Sequence, residues 1–498
     1  MEPQFIPSRT EFLKLTQHGN VIPVYADLIA DSETPVSAFS KLDRGGYSFL
    51  FESTEKNDVS GRFSFVGTDP RIVIRSRNDR IEIRDRGELR VFRSSSDPLS
   101  ELRNLMAQYQ FVARPELPRF VGGAVGFLGY DATRFFEPTV PVAERDELEL
   151  PEMLFMITGA VVIFDHRLRT VRILNNAFFQ SGDDADDAYD RACAGICDIM
   201  ERLKVPENMP PLDINRPGMR LAPRGNMTRE EFELCVDQTK EYISRGDIFQ
   251  LVLSRRFEVG FDKDPLGLYR CLRFVNPSPY MFCLNFGGDF SLVGSSPEMH
   301  VRVVDGLVEI RPIAGTRKRG ETLAEDEQNA VELLADAKEQ AEHVMLVDLA
   351  RNDVGRIAEF GSVRVTEQMG IERYSHVMHI VSHVVAKLRA DKDAYDVLRA
   401  TFPAGTVSGA PKVRAMQLIS SFEKDRRGCY AGAVGYFGFD GNLDSCIALR
   451  SIVLKKGCLA YVQTGAGIVA DSIPAREYEE TESKAAAMMQ ALQMASGG

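Results

Sequence analysis

The chain of 498 residues has no tryptophan, only 7 histidines, and 8 cysteines scattered without a CxxC pair. That cysteine usage points to free thiols in a reducing cytoplasm. Cys193 and Cys197 stand four apart on an expected helix, a spacing that suits packing. The opening MEPQFIPSRTEF lacks the basic flank and apolar run of a secretory leader. The most apolar stretch, Met153 to Phe164, is too short to cross a bilayer. Basic residues are also in deficit: Lys+Arg is 60 against Asp+Glu 72, a net charge of -12. A protein that holds nucleic acid by general phosphate attraction is therefore excluded, and no nucleic-acid or membrane partner is expected. Small anionic substrates remain open, because a few arginines or a metal can reverse the field inside a cleft.

What is present is an ordinary soluble composition, 44% hydrophobic and 27% charged, long enough for several domain-sized units. The first half alternates strands and turns. Arg80 to Phe92 reads as a hairpin turning at Asp85–Glu88, and Met153 to Asp165 with Thr170 to Leu174 reads as a strand pair. Asp183 to Lys204 is expected to be a helix with an acidic first turn. Pro206, Pro210, Pro211, Pro217 and Pro223 mark residues 206–224 as a linker between an N-terminal unit (1–205) and a C-terminal unit (225–498). Thr228 with Glu231 forms a capping box that restarts helix. The segments FVGGAVGFLGYD (120–131) and CYAGAVGYFGFD (429–440) echo each other at six of twelve positions and read as related sheet segments.

Several clusters carry chemistry. His376, His379 and His383 would share one face of a helix and could hold zinc, the basis of a rival reading as a zinc hydrolase. The β-branched residues among them favour a strand instead, where His376 points away and one functional histidine is expected. Glu339 with Glu342 falls in a long helical stretch, Leu323 to Leu349. Glu477 with Glu480 falls in a second helix. Each pair puts two carboxylates on one helical face, either as solvated surface or as oxygen ligands for Mg²⁺. Thr406–Lys412 (TVSGAPK) leads into a helix with Ser408 as N-cap, and Gly465–Gly467 is expected as a bare loop after a strand. Both could cradle anions, near Arg450 and Lys484.

The segments GDIFQLVLSRRF (246–257), SSPEMH (295–300), RPIAGTRKRG (311–320), AEHVMLVDLARNDVGRI (341–357), TFPAGTVSGAPKVRAM (401–416), YAGAVGYF (430–437) and TGAGIVADSIPAREYEETESKA (464–485) resemble the chorismate-utilising enzymes. The resemblance runs in order over about 230–490, extends more loosely to the N-terminal part, and is nearest to the anthranilate synthase component I branch. It implies an α+β fold, an α/β sandwich of two large, mostly antiparallel sheets enclosed by helices, with the catalytic site in the C-terminal half. Two positions bear on the nucleophile. Gln250 stands where isochorismate and salicylate synthases carry a lysine base, and an amide cannot deprotonate water. Ala314 stands where aminodeoxychorismate synthases carry an attacking lysine, and leaves room for ammonia at C2.

The resemblance also implies roles. Glu298 would protonate the departing C4 hydroxyl, and His379 would serve the second step, in which the C2 proton leaves and pyruvate is expelled. Glu342 and Glu480 match the Mg²⁺ ligands, with Glu339 and Glu477 beside them. Tyr430 and Arg450 would hold the enolpyruvyl carboxylate, and Thr406, Gly465, Gly467 and Lys484 would complete the pocket. Feedback inhibition by L-tryptophan is implied by FLFES (Phe49–Ser53), which keeps Glu52 and Ser53, and by NPSPYMF. On that basis Glu52, Ser53, Asn276, Pro277, Ser278, Tyr280, Met281, Phe282 and Cys446 form an effector site, with Glu52 facing the ammonium and Pro277 and Met281 lining the indole pocket. No cysteine lies in a glutaminase elbow, so a separate glutaminase subunit in a hetero-oligomer is expected to supply ammonia. The rival within the family is a 2-amino-2-deoxyisochorismate synthase that stops after amination; an aminodeoxychorismate synthase comes further behind.

Overall fold

Strands buried at every position need cover on both faces. Gly123–Leu128 and Met153–Thr158 are such strands, and the fold meets their need by stacking two sheets inside two layers of helices. The computed structural model describes residues 3–29, 31–53, 61–180, 182–207, 209–213, 218, 221–374 and 377–497. Among these, two 12-stranded sheets are formed. Their strand pairings are antiparallel.

The first sheet runs in space through Val21–Ile29, Thr170–Phe178, Ala160–Asp165, Phe63–Thr68, Tyr47–Glu52, Tyr280–Phe286, Phe290–Ser296, Ser451–Lys455, Leu459–Ile468, Gln250–Gly260 and Arg224–Gly225, with Gly409–Ala410 beside the Gln250 strand. The second runs through Ile313–Lys318, Val377–Lys387, Leu307–Ile310, Met299–Val304, Leu443–Ile447, Ala433–Gly438, Gly123–Leu128, Met153–Thr158, Ile72–Arg77, Arg80–Asp85 and Glu88–Arg93, with Arg364–Arg373 on the Val377 strand.

Alternation along each strand divides the core. Val125, Phe127, Met156, Phe282 and Leu284 meet between the sheets, while Ala124, Leu128, Phe155 and Ile157 face the other way, in the layer holding Leu99, Val347 and Val397. On the far side of the first sheet, Ile22, Val24, Leu50 and Ile452 pack with Phe39, Leu272, Met488 and Leu492. Phenylalanine, 30 residues, fills much of the interior that tryptophan does not.

Local expectations met this fold unevenly. The Arg80 hairpin turns through Arg86 and Gly87, both at positive φ, as a two-residue hairpin turn requires. The Asp183 helix is Ala185–Lys204, capped by Asp184, and Thr228 and Glu231 form the reciprocal cap of Arg229–Ser244. The two echoing segments are direct neighbours, with Gly126 opposite Gly435 and Gly123 opposite Gly438. Met153 to Asp165 is not one strand: it breaks at Gly159, and its halves enter different sheets. Strands from before residue 206 and after residue 224 occur in both sheets, so the proline-rich segment does not divide them. Pro217 lies outside the described residues. No helix among the described residues is long and apolar enough to cross a membrane.

Candidate active site and a second cavity

The Leu323 to Leu349 stretch is two helices, Leu323–Ala335 and Ala337–Gly355. Asp336 breaks it: its carboxylate accepts the N–H groups of Lys338 and Glu339 and also takes Arg317 Nη2 at 2.9 Å. Competition between a capping side chain and the helical ladder ends one helix and starts the next. The break places Glu339 and Glu342 in the opening turns of a new helix, where its dipole favours negative charge. From there the helix touches both sheets. Glu342 Oε1 accepts a hydrogen bond from Gln250 Nε2 at 3.2 Å, on the first sheet. Glu339 lies against Gly315 of the second sheet, where an added Cβ would come within 3.1 Å of its Oε2.

Gly315 adopts φ +67 in a bulge of the Ile313–Lys318 strand. The bulge turns its carbonyl toward His379, whose Nδ1–H donates to it at 2.9 Å; Thr316 Oγ1 is 3.1 Å from the same nitrogen. This fixes the tautomer, leaving Nε2 as the unprotonated nitrogen of the neutral ring. Burial, reinforced by the charge of Arg450, lowers the pKa of His379. His379 and His383 lie on one strand, as the sequence implies, while His376 is outside the described residues. Among the described residues no three His, Cys, Asp or Glu side chains gather to hold a metal.

The remaining residues form a chain of neighbours. Glu298 is buried, and burial pushes its carboxyl up to about 7, against a smaller opposite pull from Thr406 and Lys484. Thr406 Oγ1 is itself buried without a well-formed hydrogen bond. Lys484 Nζ lies 2.7 Å from Glu480 Oε1 and donates to Gly465 O at 3.0 Å. Gly465 has room only for hydrogen: a Cβ there would meet Tyr430 Oη at 2.7 Å. Tyr430 in turn faces Arg450. Arg450, at φ 48, forms no ion pair among the described residues, and burial lowers its pKa. Arg450 then faces His379. Beneath this chain the buried pair Arg427–Glu423, at 2.7 Å, also binds Val407 O, Val252 O and Ser254 N, tying the 405–410 turn to the Gln250 strand.

Two expectations about loops are corrected. Gly465 and Gly467 are inside the Leu459–Ile468 strand, opposite Ser254 and Val252. They are glycines because the strand passes Tyr430 and Gln250 closely: a Cβ on Gly467 would reach Gln250 Nε2 at 2.7 Å. Ser408 is not a helix cap, because its hydroxyl donates back to Ala404 O and the next two residues pair with Gln250 and Leu251. The helix starts at Lys412, behind Pro411.

The carboxylates suit a hard dication as donors. Glu339 is raised in pKa by burial and then by Glu342; Glu477 is raised by burial and, after an opposing bond from Ser472, by Glu480. Lys338 also acts on Glu477, so the starts of the two helices face each other. Such crowding favours a cation, and Mg²⁺ uses one or two carboxylates while keeping sites for water and substrate oxygens.

A second cavity of about 310 Å³ opens between the sheets. Tyr47–Glu52 pairs with Tyr280–Phe286 so that Glu52 faces Met281 and Phe51 faces Phe282. Glu52, Ser53, Tyr280, Met281, Phe282 and Cys446 all line the cavity; Asn276, Pro277 and Ser278 do not, and Pro279 takes the place expected of Pro277. The Asn276 turn instead packs inward, with its amide donating to Ser295 Oγ. The Glu52 carboxylate is already engaged, accepting from Tyr269 Oη at 2.5 Å and lying 3.3 Å from Arg273. Sequence reasoning missed Arg311 and Met299, which line both this cavity and the small one around Glu298 and Thr406. It missed Tyr374 as well. Only the RPIAG and SPEMH segments hinted at the first two.

This fold, with its buried acid, half-buried histidine and an arginine that has no ion pair among the described residues, defines an enzyme that takes a small anionic substrate. The chain belongs to the chorismate binding enzyme family, whose model matches residues 46–490. It is 47% identical over 489 residues to anthranilate synthase component 1 of Aquifex aeolicus, covering 98% of each chain. It is 46% identical over 495 residues to the component 1 protein of Acetivibrio thermocellus, covering 99% of each. The solved anthranilate synthase component I of Streptococcus pneumoniae is similar at TM-score 0.76 and 36% identity, over 93% of this chain and 98% of that one. The menaquinone-specific isochorismate synthase of Escherichia coli shares the fold at TM-score 0.71 and 18% identity, over 97% and 99%.

Proposed function

We infer that the chain is the chorismate-converting subunit of an anthranilate synthase: chorismate and ammonia become anthranilate, pyruvate and water. The observation that carries the chemistry is the contiguous run from Glu298 through Lys484, Tyr430 and Arg450 to His379, which sets a near-neutral acid and a neutral base about one half-buried cation with no ion pair among the described residues. A cation partly withdrawn from water without a carboxylate gains when a ligand supplies one, and a planar guanidinium suits a substrate carboxylate.

Glu298, which keeps a large protonated fraction at neutral pH, gives its proton to the C4 hydroxyl, which departs as water while ammonia bonds to C2. Gln250 holds the nucleophile's side: its Nε2 donates to Glu342, and its buried Oε1 has no partner, leaving an acceptor for an ammonia N–H. His379 Nε2 then takes the C2 proton. The C3–O bond breaks and the group leaves as the enolate of pyruvate, which takes up a proton to become pyruvate; the ammonium formed at C2 gives up one, and the ring becomes aromatic. Glu342 and Glu480, with Glu339 and Glu477, would hold Mg²⁺, which neutralises and orients the ring carboxylate when bound.

Ammonia is supplied by a partner glutaminase. The thiols of Cys193, Cys235, Cys271, Cys283, Cys429 and Cys446 are all pushed up by burial, the reverse of what a glutamine-cleaving thiolate needs. The second cavity binds L-tryptophan: its apolar walls take an indole, Arg311 attracts the carboxylate, and Glu52 gives the wall a negative charge. The test is fluorescence detection of anthranilate from chorismate, ammonium and Mg²⁺, with and without L-tryptophan. Accumulation of the non-aromatic amino compound in place of anthranilate would instead establish a 2-amino-2-deoxyisochorismate synthase.

A further inference from the structure

The structure assigns Tyr374 as a positioning residue for His379 and as the link by which the second cavity acts on that histidine; this rests on the roles proposed above for His379 and for the cavity. Tyr374 belongs to two places at once. Its ring meets the His379 imidazole edge-on, with centroids 5.6 Å apart and planes at 63°. It is also part of the wall of the second cavity, together with Arg311 and Glu52.

The tyrosine is anchored on several sides. Its N–H donates to Val377 O at 2.8 Å, its carbonyl accepts from Arg319 Nη1 at 2.6 Å, and its hydroxyl donates to Glu372 at 2.9 Å. Glu372 is ion-paired with Arg311 and stands directly opposite His379 in the strand register. His379, by contrast, is held through a single ring nitrogen. Bonds to one nitrogen fix the tautomer and restrain the ring on that side only, leaving the Nε2 side without a hydrogen bond among the described residues. The edge contact with Tyr374 supplies the second constraint that aims Nε2.

Arg311 makes the arrangement responsive. It lines both cavities, and its guanidinium is ion-paired with Glu372. A ligand carboxylate competes with Glu372 for Arg311. Glu372 then shifts and takes the partner of the Tyr374 hydroxyl with it. The tyrosine ring tilts, His379 loses its second constraint, and the elimination step slows. Coupling of this kind typically amounts to about 5- to 150-fold between sites.

Tyr374→Phe and Tyr374→Ala test this in the full-length chain. Because the chain has no tryptophan, the polarisation of indole fluorescence from L-tryptophan reports binding without protein background. Anthranilate formation reports inhibition, and chromatography gives the ratio of amino intermediate to anthranilate. In Tyr374→Phe, which lacks only the hydroxyl, the concentration for half-inhibition should rise about tenfold relative to that for half-saturation, whatever the variant's turnover. In Tyr374→Ala the ratio of intermediate to anthranilate should rise about tenfold, with the phenyl ring of Tyr374→Phe restoring it. Inhibition that still tracks binding in Tyr374→Phe overturns the link. A wild-type product ratio in Tyr374→Ala overturns the positioning role. If the wild-type chain binds no L-tryptophan, the effector reading fails, and the Tyr374→Ala product ratio alone decides whether Tyr374 positions His379.

Discussion

Glu298→Gln should make the protein more stable and inactive, and the stability gain should depend on pH in a set direction. The Glu298 carboxyl titrates at about 7 in place of 4.5, chiefly because it is buried. Between those values the native chain keeps a proton that the unfolded chain has released. The stabilising contribution of this group is therefore complete below pH 4.5 and lost as pH rises through about 7. Above that, holding the buried carboxylate ionised costs about 3 kcal/mol, at 1.36 kcal/mol for each tenfold change in proton affinity. Glutamine has nearly the same shape and no charge, so it escapes this cost at every pH. Thermal unfolding at about pH 8 should place the variant roughly 3 °C above the wild type for a chain of this size, with the gap closing towards pH 5. The amide has no carboxyl proton to give the leaving hydroxyl, so anthranilate formation at neutral pH should drop by about 10²- to 10⁴-fold. A melting difference that stays flat with pH would mean that Glu298 is not held protonated by burial. A variant that still turns over normally would remove it as the acid.

Three further substitutions probe other parts. His379→Ala should let the amino intermediate build up at the expense of anthranilate, visible as loss of product fluorescence with continued chorismate consumption; unchanged anthranilate output would exclude His379. Ser53→Phe puts a ring into the wall of the second cavity and should blunt L-tryptophan inhibition while sparing turnover, as inhibition curves would report; full inhibition would show that the ligand sits elsewhere. Arg427→Met leaves the Glu423 carboxylate buried without its cation, so the urea midpoint should fall by the equivalent of about 3–5 kcal/mol. A loss below about 1 kcal/mol would show that water or a neighbour replaces the arginine.

How much of this was legible depended on distance along the chain. The Arg80 hairpin, the Thr228 capping box and the strand character of residues 377–387 follow from patterns a few residues long, and the structure has them. The two sheets, their antiparallel pairing and the enclosing helices came from the family resemblance, because which strand lies beside which is decided over hundreds of residues. That is also why Met153 to Asp165 misled. Its apolar run is continuous, but only the packed sheets decide that the turn at Gly159 sends its halves apart. Gly465 and Gly467 look like a loop by composition, yet they are strand positions emptied for Tyr430 and Gln250, which come from elsewhere in the chain. Asp336 was hidden for the same reason: an aspartate inside an apolar-periodic helix breaks it only when a neighbour such as Arg317 helps hold the cap.

The charge balance shows why composition could exclude partners but not substrates. A net charge of -12 repels polyanions at long range, over distances that salt screens within about 10 Å. Inside the site the relevant charges are few and mostly half-buried, where screening is weaker than on the open surface. Among the described residues Arg450 has no carboxylate partner, and Lys484 is shared between Glu480 and the Gly465 carbonyl. The glutamates stand in two pairs, one on each helix start, and Glu339 and Glu477 are raised by burial and then by Glu342 and Glu480 respectively. A substrate with two carboxylates would meet opposite fields at its two ends: the Arg450 cation at one, and at the other the glutamate pairs, which repel it unless a dication intervenes. Removing divalent metal should therefore weaken chorismate binding more than a change in net surface charge would. Chelation followed by Mg²⁺ titration, read as KM, distinguishes the two.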